Sequence, residues 1–489
     1  MWSDNMRSNN YVKFEDKGKV QKKTRVVESL EKTIEKLEIK DSMTISFHHH
    51  FRNGDILGGK IMELLDEKGL KNLTLFPSSL TSAHDDFGKY IKSGLIGRIC
   101  TSGLRGRLGE DISSGILDEP VIIRSHGGRA RAIESGEEKI DVAFVAAPHS
   151  DVHGNANGFE GVSPCGSLGY ALVDMKYADK VVVVTDILTD EIALPFSMPA
   201  YYVDYVVEID KIGIKEKIMS GATRAVSNPK ELLIAKKTAE IIDALGIIKE
   251  NFSFQTGSGG SSLAVTRYMR EKMIEKKVTA DFALGGITGQ IVKLHEEGLV
   301  RKLLDVQSFD LYAVSSLKNN KRHFEIDASF YANPNNLGCA VNRLDVVVLS
   351  ALEIDSKFNV NVITGSDGLL RGASGGHSDT AAGSEVCIVV APLVRGRIAT
   401  VKEKVLNIVT PGSTIDILVT DHGVAVNPRR KDIKDRLKDA KIKTIEINAL
   451  KEMAEKITKK PEEIRYTDKV VGLIEYRDGS IIDEVRQVE

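Results

Sequence analysis

The chain repeats itself, and the repetition restricts its fold more than any other feature. DVAFVAAPHSDVHGN from Asp141 corresponds to DVVVLSALEIDSKFN from Asp345, each a continuous apolar run followed by a loop that ends in asparagine. A second apolar run follows in both copies, KVVVVTDIL from Lys180 and VCIVVAPLV from Val386. Then VDYVVEID from Val203 is echoed by IDILVTDHG from Ile415. Upstream, GLRGRLGEDISSGIL and GITGQIVKLHEEGLV align so that Gly103, Gly106 and Gly115 match Gly286, Gly289 and Gly298. A repeat of this length means two copies of one architecture.

Between the strand-like runs lie helical stretches. GGKIMELLDEKG from Gly58 puts Ile61, Leu64 and Leu65 on one face, and PKELLIAKKTAEIIDALG from Pro229 has proline at a first helical position and glycine just past its end. Strands alternating with helices, twice over, predict an α/β protein of two similar domains, each an open, mostly parallel sheet flanked by helices. The join falls near 215–228, giving domains at 41–220 and 221–489. Val27, Leu30, Ile34 and Leu37 share one helical face, so 1–40 is read as an N-terminal helical extension. Ligands of such sheets collect at loops beyond the carboxyl ends of the strands, so a cleft between the domains is the expected site.

The 489 residues carry 67 basic and 69 acidic side chains, a formal charge of −2 with no dominant block of one sign. No nucleic-acid or membrane field is therefore indicated, and an anionic substrate has to be held by local groups. The polar start MWSDNMRSNN and the lack of any apolar run of spanning length predict a cytoplasmic protein with no membrane partner. Cys100, Cys165, Cys339 and Cys387 lack paired spacing and read as buried thiols.

Four loops carry candidate chemistry. In FQTGSGGSSLAV, Gly257, Gly259 and Gly260 stand between a strand-like segment and a helix, where free N–H groups bind carboxylates or oxyanions; a tight structural turn explains them equally. The loop has neither a Walker lysine nor a dinucleotide fingerprint. In GSDGLLRGASGGHSDTAAG, Gly372, Gly375 and Gly376 permit close approach of a ligand, while Arg371, His377, Ser378 and Asp379 offer a cation, an imidazole and hydrogen-bonding groups. His377 also fits a turn-stabilising role, and Asp379 an N-cap. SFHHHFRNGD supplies Arg52, and SHGGRARAIESG supplies Arg129 and Arg131, which suit forked binding of carboxylates or plain salt bridges. His48, His49 and His50 diverge in either a strand or a helix, so no metal site is expected.

Together these segments resemble the coenzyme A transferase superfamily. Its first-half Asp-x-x-Gly-Asn loop matches DVHGN at Asp151–Asn155, and its second-half Gly-x-Gly turn and Gly-Gly loop match GSGG at Gly257 and ASGGHSD at Ala373. More narrowly, TISFHHHFRNGD, SHGGRARAIESG, SGGHSDTAAG, APLVRGRIATV and DHGVAVNPRR are similar to citrate lyase alpha chains, from about residue 24 to beyond 450. The resemblance makes Gly259, Gly260, Gly375, Gly376 and His377 the expected catalytic set, and Arg371, Ser378, Asp379, Arg52 and Arg129 the expected substrate ligands.

One departure bears on mechanism. Glutamate-dependent members carry Ser-Glu-Asn-Gly where this chain has GGITGQ; with Gly289 as the motif glycine, Ile287 stands in the glutamate's place, and an alkyl group is no nucleophile. The resemblance then implies that citrate and an acetyl-carrier thioester react directly in a ternary complex, giving citryl-carrier and acetate. It further implies no tightly bound cofactor, a coenzyme-A-like phosphopantetheine arm on an acyl carrier (gamma) subunit or acetyl-CoA as thiol donor, a citryl lyase (beta) partner, and a homo-oligomer. The rivals are a coenzyme A transferase or acyl-CoA hydrolase using free coenzyme A, and a non-catalytic assembly subunit.

Overall fold

The computed structural model describes residues 24–219, 228–257, 259–459 and 464–489. Two sheets organise it. The first runs in the spatial order Arg25–Val27, Tyr205–Glu208, Lys180–Thr185, Val142–Ala146, Thr44–Ser46, Leu73–Leu75, Ile96–Thr101, Val121–Ile123, Tyr466–Glu475, Ile481–Val488. The second runs His323–Glu325, Val300–Ser308, Ala280–Ile287, Ser253–Thr256, Val346–Ser350, Val386–Val390, Ile417–Val419, Val424–Val426. Neighbours are parallel except in the last pair of each sheet. Strands such as Val142–Ala146 and Val386–Val390 are buried along their whole length, which is why they read as unbroken apolar runs.

The duplication extends to most elements of both halves. Thr44–Ser46 and Ser253–Thr256 take the same place in their sheets, as do Val142–Ala146 and Val346–Ser350. The loop Asp151–Asn155 has a counterpart in Asp355–Asn359, and both aspartates accept from the backbone two and four residues on and from the asparagine amide. The glycine alignment is corrected, however. The strand before Gly103 is the second outward from Thr44–Ser46, whereas Gly286 lies at the end of the first outward from Ser253–Thr256. The segment opening at Gly103 therefore corresponds to that opening at Phe309, one strand–helix unit further along.

The helix Pro229–Ala244 has Asn228 as its cap and proline in its first turn, with Gly246 at a φ of +65° just beyond its end. The expected N-terminal helix is Leu30–Leu37, but Val27 belongs to a strand paired with Tyr205–Glu208. Residues 1–23 and most of the join, 220–227, lie outside the described residues. The strands Tyr466–Glu475 and Ile481–Val488 extend the sheet of the first half, although they follow the second in sequence. Arg124 and Arg131 hold them there through Glu475.

An apolar core crosses the junction: Val306, Tyr331 and Val341 of the second half join Phe76, Phe144 and Val182 of the first. Among the described residues no helix is long and apolar enough to cross a membrane.

Candidate active site

In each sheet the chain order reverses beside the central strand, Thr44–Ser46 in one and Ser253–Thr256 in the other. Loops at such a switch point face a crevice at the carboxyl ends of the strands. The loop after Thr44–Ser46 carries His48, His49, His50 and Arg52, and the loop after Ser253–Thr256 carries Gly257, Gly259 and Gly260. The two halves meet around them. Gln307 donates to the carbonyl of His49 at 3.0 Å, and Arg52 lies over the ring of Phe309 at 4.3 Å. The Gly372–Gly375 stretch runs against the first half, with Leu104 N–H on Gly372 O at 2.9 Å, Ser374 N–H on Ser102 O at 2.8 Å and His126 N–H on Gly375 O at 2.8 Å. Gly103 has to be glycine here, since a Cβ would stand 2.2 Å from that of Ala373.

Electrostatically this junction is cationic. Arg52 is 7% exposed and its guanidinium makes no hydrogen bond or ion pair among the described residues, with Nη1 sealed from solvent without a partner. Burial, with Arg105 nearby, pulls its pKa down to about 10. The backbone of Arg52 also has a φ of +52°, a strained state for a side-chain-bearing residue and one that clusters at functional sites. Arg105 is exposed and likewise lacks an ion pair among the described residues. His126, His49 and His50 add no charge at neutral pH: burial pushes His126 down to about 3 and holds His49 and His50 well below the usual range. Tyr170 stacks among them, 4.3 Å from His126 and 5.0 Å from His49.

On the second-half side, the helix Gly260–Lys276 begins at Gly259 without a side-chain cap, so its first N–H groups are open to a ligand. Gly260 has a φ of +55°; Ser258 lies outside the described residues. Tyr331 links this loop to the glycine pair: its hydroxyl takes a hydrogen bond from Gln255 at 3.0 Å and sits 2.4 Å from where a Cβ on Gly376 would be. Gly375 has a φ of +54°.

Other expected site residues have partners of their own. Arg129 clamps Asp174 with two bonds of 2.6 and 2.7 Å and donates to Phe76 O. Arg371 is exposed and paired with Asp367 and Glu110. His377 is buried, bonded through Nδ1 to Thr410 at 2.7 Å and through Nε2 to Ser350 O at 3.1 Å, and burial lowers its pKa to about 4. Ser378 is buried in the same helix. Asp379 caps the first half's helix His126–Glu134, accepting from Ser125 Oγ and Gly127 N–H at 2.8 Å each; burial raises its pKa to about 6. It is a cap, but of a helix whose Gly127 stands 252 residues away in sequence rather than of its own. The histidines have different polar partners, His48 meeting Asp174 at 3.0 Å and His49 meeting Ser78 at 2.6 Å, while the His50 ring stacks between those of His48 and Tyr170. Among the described residues no three His, Cys, Asp or Glu side chains gather as metal ligands. Ile287 is fully buried in the second half's core.

The comparison with known proteins agrees with this geometry. Residues 23–488 match the family "Citrate lyase, alpha subunit (CitF)". The chain belongs to the citrate lyase alpha subunit family. It is 55% identical over 477 residues to the citrate lyase alpha chain of Haemophilus influenzae, covering 98% of this chain and 95% of that one. A crystal structure of the citrate lyase alpha subunit of Streptococcus mutans in complex with citrate superposes with a TM-score of 0.94 at 52% identity, covering 97% of this chain and 93% of that one. The fold also matches 4-hydroxybutyrate CoA-transferase of Porphyromonas gingivalis, with a TM-score of 0.55 at 16% identity over 88% of this chain and 97% of that one. Of the side chains gathered at this junction, sequence reading singled out Arg52 but not Arg105, His126 or Tyr170. Arg105 and His126 stand inside quoted motifs, while Tyr170 left no signal.

Proposed function

We propose that this alpha subunit transfers a thiol from acetate to citrate: citrate and acetyl-S-carrier give citryl-S-carrier and acetate. The observation that carries the reading is the buried guanidinium of Arg52, which has no hydrogen bond or ion pair among the described residues and lies at the junction of the halves, with the exposed Arg105 nearby. A buried cation with no carboxylate partner is costly unless an anion completes it, and a tricarboxylate does so with forked hydrogen bonds. The family and the citrate bound to the Streptococcus mutans relative support that anion being citrate.

In the proposed chemistry a carboxylate oxygen of citrate attacks the acetyl carbonyl carbon. The tetrahedral intermediate collapses with loss of the thiolate, leaving a citric–acetic anhydride. The thiolate then adds to the citryl carbonyl and expels acetate. The protein aligns two acyl groups and stabilises two oxyanions in turn, tasks of proximity and of fixed N–H donors such as those opening Gly260–Lys276. No enzyme carboxylate is needed: Ile287 packs into the core, and no Asp or Glu lies between Asp281 and Glu296. The thiol belongs to a phosphopantetheine arm on an acyl carrier subunit, with acetyl-CoA as its surrogate, and a separate lyase subunit cleaves the citryl group.

Incubating the purified chain with acetyl-CoA and labelled citrate tests this. Citryl-CoA should form only when both are present; hydrolysis alone would point to a thioesterase, and no reaction to an assembly role. Acetyl-CoA alone should leave nothing bound to the protein, and borohydride should not inactivate it. A trapped enzyme thioester would overturn the ternary-complex route.

A further inference from the structure

We propose that His49 is a catalytic hydrogen-bond donor, its neutral Nε2–H polarising the acyl carbonyl and holding the oxyanion that forms from it; this rests on the transfer reading above. The tautomer follows from the donors and acceptors around Ser78. Ser78 is wholly buried, and its Oγ accepts the backbone N–H of His49 at 3.0 Å and lies 2.6 Å from His49 Nδ1. Were Nδ1 protonated, two N–H groups would converge on Oγ and the hydroxyl hydrogen would have no acceptor among the described residues. With Nδ1 bare, the hydroxyl donates to it and every group is satisfied. The proton of the ring therefore sits on Nε2.

That atom is left free. His49 is buried, and its Nε2 has no partner among the described residues. The ring is held in place by Tyr170 at 5.0 Å and His126 at 5.8 Å, with Arg52 N–H and Gln307 Nε2 both on its backbone carbonyl. Burial disfavours a second proton on the ring, as do the neighbouring His126, His50, Arg52 and Arg105, and the other titratable group against it is the buried phenol of Tyr170. A neutral imidazole keeps its proton on Nε2 throughout: charge develops on the substrate oxygen, and the hydrogen bond strengthens without transfer. The two arginines hold carboxylates, and His49 serves the reacting carbonyl beside them.

Nitrogen-15 spectra of histidine-labelled protein, assigned by loss of one signal in His49→Gln, should show His49 protonated at Nε2; protonation at Nδ1 would overturn the assignment. His49→Phe keeps a ring without the donor. It should lower kcat about 10²–10³-fold while the Kd for citrate, by calorimetry, changes less than about twofold. His49→Gln should recover part of that loss. Ser78→Ala, which leaves the imidazole in place, should lower kcat about tenfold and show both tautomers. A wild-type chain inert toward citrate and acetyl-CoA would sink the transfer reading and the donor with it. An active wild type matched by His49→Phe would sink the donor alone.

Discussion

At one topological point the two halves present opposite materials. The loop after Thr44–Ser46 is built of side chains, with His48, His49 and His50 each tied to a different neighbour and Arg52 left unpaired in strained backbone. Its counterpart after Ser253–Thr256 is built of bare backbone, with Gly259 and Gly260 starting a helix that has no side-chain cap. A site between equal scaffolds gains from such inequality. One half brings charge to hold carboxylates, and the other leaves clearance and N–H groups for the reacting acyl arm. The aspartates of the equivalent helices Ala171–Tyr177 and His377–Gly383 diverge in the same way. Asp174 lies between Arg129 and His48, which hold its pKa below the usual carboxylate range, whereas burial raises that of Asp379 to about 6 even with Arg477 3.6 Å away.

Breaking the backbone side should have the largest effect. Gly375→Val forces a β-branched residue into a φ of +54°, straining the loop by roughly 1–3 kcal/mol and moving the carbonyl that accepts His126 N–H. Thiol transfer should be abolished with circular dichroism unchanged; full activity would remove this loop from the site.

Breaking the charged side comes next. Arg52→Gln should lower kcat/KM for citrate about 10²–10³-fold, yet raise the melting temperature by about 1–2 °C because an unpaired buried cation is gone. A loss of both activity and stability would mean that Arg52 has an internal partner and is structural.

The aspartate contrast is a matter of pH. A carboxyl whose folded pKa is raised stabilises the protein most below its unfolded pKa, and that contribution is lost as pH rises through about 6. Urea unfolding from pH 4 to 7 should therefore show Asp379→Asn gaining on the wild type as pH rises, by at most about 3 kcal/mol. Asp174, with its pKa depressed, acts in the opposite sense, its contribution being lost only as pH falls below the usual carboxylate range. An Asp379→Asn difference that stays flat across the window would show that Asp379 titrates normally. The smallest effect belongs to Arg371→Ala, which removes an exposed pair with Asp367 and Glu110 and should change kcat/KM less than about twofold. A tenfold loss would return Arg371 to the substrate.

Much of the scaffold was readable beforehand. Buried strands such as Lys180–Thr185 announce themselves by composition, and Pro229 and Gly246 bracket their helix through local backbone chemistry. The pairing of glycine segments was read one unit out of step, because glycines recur after successive strands and only sheet order tells which strand precedes them. Of the residues read as a candidate site, Arg52 and the glycine loops lie at the junction of the halves, while Arg129 and Asp379 are bonded to Asp174 and to the helix His126–Glu134.

Local order came from the sequence alone: the period of its apolar residues, the turn chemistry of glycine and asparagine, and the doubling of the whole pattern each depend on near neighbours. Which cations are free was a tertiary matter. Arg129 finds Asp174 across 45 residues and Arg131 finds Glu475 across 344, while Arg52 finds none among the described residues. The cost of leaving a guanidinium unpaired depends on every group the fold brings within a few ångströms, and no spacing along the chain records that.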